Sequence, residues 1–277
     1  MLARNLKDVV RPWIPPAALD IARRRRGSYA GLALTDLTWP EALALCEGYD
    51  DPVILDSVER ATREALVGNG YERDGVVLAA GEVHWPILGP LLEARAASSG
   101  VMRVVDVGGS LASKWFQHRQ FHATLAPIAW AVVEQPQVVR KARAWLETGQ
   151  LTFHESFLDA CAHLGGVDVV VFSASLHYLP HPMMALTEAA SITTHSIVID
   201  RLPAWSEPTE HLAIQSVGLY ATPIRYPCWV MSRPAVARAL GEFFENLSTW
   251  DEVMQLAVTP AKAHIGWWGV LASGRRP

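Results

Sequence analysis

Apolar positions follow two different rhythms along this chain. Ile54, Leu55, Val58, Ala61 and Ala65 recur at spacings of three and four, which predicts an amphipathic helix. Asp51 stands where a cap belongs, Pro52 at the first helical position and Gly68 just past the end. Before it, Thr38 caps a shorter helix through Trp39, Ala42 and Leu45 towards Gly48. Beyond residue 100 the rhythm changes to short continuous apolar runs separated by helical stretches. Val101–Val107, Ala129–Glu134, Leu151–Phe153, Val167–Phe172 and Ser196–Asp200 are the predicted strands. Runs such as Val169-Val170-Val171-Phe172 suit strands covered on both faces. Pro136 and Pro182 open helices between them, and Gly149 ends the first of these. Two last stretches, Leu256–Val258 and His264–Ala272, predict an antiparallel hairpin that closes the sheet. The fold class is therefore α/β: a Rossmann-like, mostly parallel sheet with an antiparallel C-terminal hairpin and a helical N-terminal cap. The segments are a leader (1–35), the cap (36–99) and the main domain (100–277), with a less regular insertion at about 201–232.

Composition narrows the function classes. Half of the 277 residues are apolar and 19% are charged, which excludes a disordered chain. A net charge of −4 and a pI near 6.2 leave no electrostatic footprint for nucleic acid. Cys46, Cys161 and Cys228 are too widely spaced for a zinc site, and their odd number argues against a disulfide framework, as expected of a cytoplasmic protein. No apolar run approaches the roughly 18 residues of a membrane span, and Met1–Arg26 lacks the continuous apolar stretch of a signal peptide. Trp13-Ile14-Pro15-Pro16 followed by Arg23–Arg26 suits either weak peripheral contact with an anionic membrane or an arm that packs on a neighbour. Nothing in the sequence sets the oligomeric state.

Chemistry concentrates where strands end. The first strand runs into Asp106, then Gly108, Gly109 and Ser110 before a helix. Glycines permit a tight turn and close approach of a ligand, and the helix start offers free N–H groups to an anion; two-glycine turns also occur for purely structural reasons. The second strand ends in Glu134. A carboxylate there takes a ribose diol in doubly wound folds, or else caps the helix that Pro136 opens. Read together, Asp106 and Glu134 predict an adenosine-like ligand across the carboxyl ends of the strands. Adjacent glycines do not fit the spaced GxGxxG of nicotinamide binding. Tyr71 and Arg73 either fold over the ligand's carboxylate or sit in a turn with an internal ion pair. No histidine pair has a metal-ligand spacing with a nearby acid, which predicts no metal.

The ordered set Trp39–Ala42, Gly48-Tyr49-Asp50, Tyr71-Glu72-Arg73-Asp74-Gly75, Val105–Leu111, Val133-Glu134-Gln135-Pro136 and Tyr226-Pro227-Cys228-Trp229 covers most of the chain from Trp39 onward. It resembles the class I S-adenosylmethionine-dependent methyltransferases, and within them a little-characterised family associated with bacterial surface-polysaccharide pathways. The chain departs from that family at Ala112, where glycine is usual, and at Val107, where an aromatic is. The resemblance implies S-adenosylmethionine as cofactor. Asp106, Gly108, Gly109 and Ser110 would hold its methionine end, Glu134 and Gln135 its ribose, and Ser156 and Phe157 its adenine; Tyr71, Arg73 and Ser173 complete the set. The acceptor is then a small polar molecule, a sugar or another metabolite, methylated on oxygen. A hydroxyl must lose its proton, so His177 beyond the fourth strand is the expected base. Tyr178 positions the acceptor, His181 caps the next helix and His211 is the reserve base. Arg201, Gln215, Tyr220, Arg225, Tyr226 and Trp229 in the insertion either wall the acceptor pocket or simply pack the insertion onto the sheet. The rival readings are a non-catalytic Rossmann-like partner subunit and, last, a nicotinamide-dependent oxidoreductase.

Overall fold

Alternate residues of the central strands point to opposite faces, and both faces are dry. Met102 and Val104 of the first long strand join one apolar cluster, Val105 and Val107 the other. Such strands need helices on both sides. The computed structural model supplies them; it describes residues 31–46, 52–68, 70–73, 75–78, 83–217, 224–252, 256, 258–259 and 265–277. The leader up to residue 30, Gly48-Tyr49-Asp50, the Asp51 cap, Asp74, Tyr220 and His264 lie outside the described residues.

In chain order the first half comprises β1 (Gly31–Leu34), α1 (Trp39–Ala44), α2 (Pro52–Val67), β2 (Tyr71–Arg73), β3 (Val76–Leu78), α3 (Trp85–Ala97), β4 (Met102–Val107), α4 (Ser113–Gln117), α5 (His122–Leu125), β5 (Ile128–Val133) and α6 (Pro136–Arg143). Then follow β6 (Leu151–His154), α7 (Phe157–Leu164), β7 (Val167–Ser173), α8 (Pro182–Ile192), β8 (Thr193–Trp205), β9 (His211–Val217), β10 (Ile224–Ser232), α9 (Arg233–Gly241), β11 (Phe244–Asp251), β12 (Val258–Thr259) and β13 (Gly266–Arg275).

The parallel core runs in the order β6-β5-β4-β7-β8. The chain order thus reverses at β4, beside β7, and ligands bind in doubly wound sheets at such a switch. Antiparallel β13 then pairs with β8, and β11 pairs with β13. This is the expected α/β sheet, mostly parallel with an antiparallel C-terminal hairpin. One strand of that hairpin differs from the expected Leu256–Val258. The partner of β13 is Phe244–Asp251, a polar edge strand in which Phe244 alone is buried. Val258 instead pairs in parallel with Leu32 of β1.

Residues 201–232 also differ from expectation. Their described residues include the end of β8 and the antiparallel pair β9–β10, which joins the sheet through Met231 and Ser232 on Ala204 and Trp205. β1, from the end of the expected leader, adds to β9. Leu32, Trp205, Ala213, Cys228 and Val230 form the small core of this wing. Arg201 sits inside β8 at φ +51°, a left-handed conformation that ordinary side chains adopt only at a cost. It divides the strand into a segment paired with β7 and a segment that carries the wing.

On the other side α2 covers the carboxyl edge. Ile54 and Val58 enter the core, while Lys141 on α6 reaches Asp56 and Glu59, each at 2.6 Å. Arg63 lies over the Trp145 ring at 3.8 Å. Thr38 caps α1 as expected: Glu41 accepts from its N–H at 2.8 Å. Among the described residues no helix is long and apolar enough to cross a membrane.

Candidate active site

The ends of β4, β5 and β7 open into a cleft of ≈ 670 Å³. Its floor is the turn after β4. Gly108 sits at φ +71°, and a Cβ there would lie 2.4 Å from the Cβ of Ser175. Ser175 is held against the same turn by its hydroxyl, which donates to the Val107 carbonyl at 2.5 Å. At Gly109 a Cβ would lie 2.6 Å from Asp106 Oδ2. Bare backbone is therefore required at both positions. Ala112 adopts φ +63°, which gives a physical reason for the glycine usual there in the family the sequence resembles.

Two carboxylates face this turn. Asp106 is fully buried, and neither oxygen meets a donor in hydrogen-bond geometry among the described residues. Burial pushes its carboxyl up to about 7, opposed by the charge of Lys114 and by the nearby Trp130 indole. Glu134 is half-buried at the end of β5. It accepts from the Ser110 N–H at 3.0 Å and from the Gln135 N–H at 2.9 Å. Burial raises its carboxyl, and these two bonds oppose the rise. Tyr71 and Arg73 lie on the β2–β3 hairpin and line the cleft. Between them Glu72 accepts from Ser113 Oγ at 2.7 Å, tying the hairpin to the start of α4.

The far wall is built by Tyr178, Leu179, Gln215, Val217, Tyr226 and Trp267. Tyr178 donates to Gln215 Oε1 at 2.7 Å, and its ring meets that of Tyr226 edge-on at 5.2 Å. Arg201 also lines the cleft and donates to Ser173 Oγ at 2.8 Å. Of the insertion residues singled out in the sequence, Arg201, Gln215 and Tyr226 reach the cleft. His211, Arg225 and Trp229 are not among its lining residues.

Several expected roles change in three dimensions. His177 is fully buried, with neither ring nitrogen hydrogen-bonded among the described residues. It packs against Tyr178 and Trp267 and is absent from the cleft wall. Burial, then the Arg201 charge, lowers its pKa to about 3. In this arrangement the ring does not meet the cleft where the expected base would act. His211 lies out on the wing, 3.8 Å from Asp36. Ser156 caps α7 by accepting from the Asp159 N–H at 3.1 Å, and Phe157 packs on the core. Glu155, immediately before them, is the residue that lines the cleft. Lys114, Gln117 and Trp267 also line it; they stand in helix and hairpin contexts with no local motif to announce them. Lys114 is buried, and burial and Arg201 bring its pKa down to about 8.

The His177 geometry carries a prediction. Exchanging a buried, unsatisfied polar ring for an apolar side chain of similar size removes a desolvation cost of about 1–3 kcal/mol. His177→Leu should therefore unfold at higher urea than wild type, by roughly 1 kcal/mol or more, with cofactor affinity unchanged. A fall in stability would mean that the ring has a bonding partner.

No protein-family model matches this chain, and no curated protein matches it significantly. Solved structures similar to it include the N-terminal domain of EvdMO1 in the presence of SAH and D-fucose. That likeness has 18% identity, 78% of this chain and 97% of that one covered, and a TM-score of 0.45. Magnesium protoporphyrin IX methyltransferase from Synechocystis PCC 6803 with bound SAM is 14% identical over 99% and 100% of the two chains, at a TM-score of 0.39. A methyltransferase in complex with the Haloferax volcanii Trm112 activator is 13% identical over 81% and 98%, at 0.44.

Proposed function

We propose that this chain is an S-adenosylmethionine-dependent methyltransferase that methylates a hydroxyl of a small polar acceptor such as a sugar. The observation that carries this reading is the shared cleft. The orphaned Asp106 carboxylate, the side-chain-free Gly108-Gly109 turn and Glu134 all line it, opposite a wall of aromatic and amide side chains. The residues fit the cofactor's parts. Asp106 lies beneath the cleft-lining turn and supplies negative charge towards an ammonium group, and Glu134 retains acceptor lone pairs for a ribose diol while its other contacts hold the turn. Arg73 is the cleft's cation nearest in sequence to the β2–β3 turn, and suits a carboxylate.

When bound, S-adenosylmethionine supplies an electrophilic methyl group. The chain's own contribution is alignment. The Tyr178–Gln215 bond fixes a donor and acceptor pair on the acceptor wall, and Tyr226 and Trp267 present faces suited to a sugar ring. Well-oriented reactants gain effective molarities of about 10⁵–10⁸ M, so positioning carries the rate here without the base assigned to His177. The hydroxyl oxygen bonds to the methyl carbon as the carbon–sulfur bond breaks, and the hydroxyl proton passes to water. Cytoplasmic location and a polysaccharide pathway belong to the same proposal.

Titration calorimetry tests it. The protein should bind S-adenosylmethionine and S-adenosylhomocysteine with one equivalent each, and should give no heat with NAD. Binding of NAD and of neither methionine derivative would overturn the reading in favour of an oxidoreductase.

A further inference from the structure

Behind the cleft, three side chains from distant parts of the sequence converge. His84 precedes α3, Asp200 ends the first segment of β8, and Glu252 follows β11. One ligand atom from each lies within 4.8 Å of the other two. Asp200 is 1% exposed, yet neither oxygen has a hydrogen-bond partner among the described residues. His84 Nε2 stands 3.2 Å from Asp200 Oδ2 outside hydrogen-bond geometry. Arg201 Nε, at 3.4 Å, is likewise unbonded, and the guanidinium directs Nη2 to Ser173 instead.

A buried carboxylate without a hydrogen-bonded donor is costly even with Arg201 and His84 at ion-pair distance, and here it converges with an imidazole and a second carboxylate. Two ligands about 2.0–2.2 Å from a shared cation sit roughly 3–3.6 Å apart, which is the His84–Asp200 spacing. Glu252 is already oriented: its Oε1 accepts from Trp250 Nε1 at 3.0 Å, and its N–H donates to the Trp267 carbonyl at 2.9 Å. Such outer contacts are what fix a ligating group in place. We propose that His84, Asp200 and Glu252 form a site for one divalent first-row cation, Zn²⁺ or Mn²⁺. One imidazole and two carboxylates suit these ions better than copper(I), which prefers thiolates.

The site ties the start of α3, the kink of β8 and the end of β11 together. None of its three ligands lines the cleft, so its role is to hold the wall carrying Arg201 and Trp267. Two cations temper its affinity. Arg201 is one; the other is Lys114, whose Nζ lies 3.5 Å from His84 Nδ1 and donates to Gln117 at 3.1 Å. Since the ligands lie more than a hundred residues apart between His84 and Asp200, and fifty further on for Glu252, no spacing along the chain announces them.

The test uses the full, untagged chain stripped with EDTA and titrated with ZnCl₂ or MnCl₂ alone. One equivalent should bind, and the melting temperature should rise. Glu252→Gln, at a half-buried position, and Asp200→Asn should each weaken binding at least tenfold. Lys114→Met should tighten it several-fold by removing a neighbouring charge. No uptake at millimolar metal, or uptake by both acid variants equal to that of the wild type (an adventitious ion only), overturns the proposal. S-adenosylhomocysteine binding, measured on the same EDTA-treated samples, should persist, which separates this site from the cofactor reading.

Discussion

Glu134→Ala should lower affinity for S-adenosylhomocysteine by about two orders of magnitude. Its carboxylate would accept two hydroxyl hydrogen bonds from a ribose, and bonds to a charged group contribute about 1.5–3 kcal/mol each. Even the lower figure, taken twice, gives roughly 3 kcal/mol, or about a hundredfold. The truncation also releases the Ser110 N–H, which Glu134 holds at 3.0 Å, so the glycine turn loses an anchor as well. Glu134→Gln keeps one acceptor oxygen and the side-chain length, and should fall between. Calorimetric titration of the three proteins, with melting curves to confirm folding, decides the matter. An alanine variant that binds as tightly as wild type would return Glu134 to the role of helix cap.

Asp106→Asn should stabilise the protein without ligand, with a pH dependence that identifies the cause. In the fold, burial pushes the carboxyl up to about 7 against the opposing Lys114 charge and Trp130 indole; its ordinary value is 3.8. The unfolded chain therefore loses this proton around its ordinary value of 3.8, while the folded chain keeps it until about pH 7. Folding becomes less favourable as pH rises through that window, and the loss levels off above it. About three pKa units correspond to some 4 kcal/mol at most. The asparagine variant carries no such charge. Its advantage should be near zero at pH 4, grow to a few kcal/mol by pH 7.5, and stay constant above. Urea unfolding at five pH values measures it. A flat difference would show that Asp106 remains ionised in the fold, compensated by Lys114. The same substitution should weaken cofactor binding, because it removes the negative charge supplied towards an ammonium group.

Four of the five parallel strands were legible in the sequence to within a residue or two, whereas β8 starts three residues before and ends five after the expected Ser196–Asp200. Val104–Val105, Ala129–Val133 and Val169–Phe172 are continuous apolar runs because both of their faces are covered. The turn after Val107 was legible for a local reason too: its glycines are demanded by Ser175 and Asp106 at contact distance. β11 was missed because an edge strand buries little, and seven of its eight residues are half-buried or exposed. The wing was missed because Pro203 and Pro227 interrupt its strands and β9 alternates weakly. His177 was chosen for its place after a strand end, but a one-turn helix at Leu176–Tyr178 swings it inward and leaves Tyr178 facing the cleft. Lys114, Trp267 and the His84–Asp200–Glu252 trio depend on tertiary convergence, which no local pattern records.

β8 spans 13 residues, kinked at Arg201, and it serves both ends of the cleft. Thr193–Asp200 is locked into the parallel core, while Ala204 and Trp205 start the wing that bears Gln215 and Tyr226. Such a layout divides inheritance. Exchange of the segment beyond Trp205 can reshape the acceptor wall while Asp106, Gly109 and Glu134 keep their positions, since none of their contacts crosses into it. Relatives with different acceptors are therefore expected to diverge first in the wing, and a chimaera joined within β8 is the natural route to a new specificity.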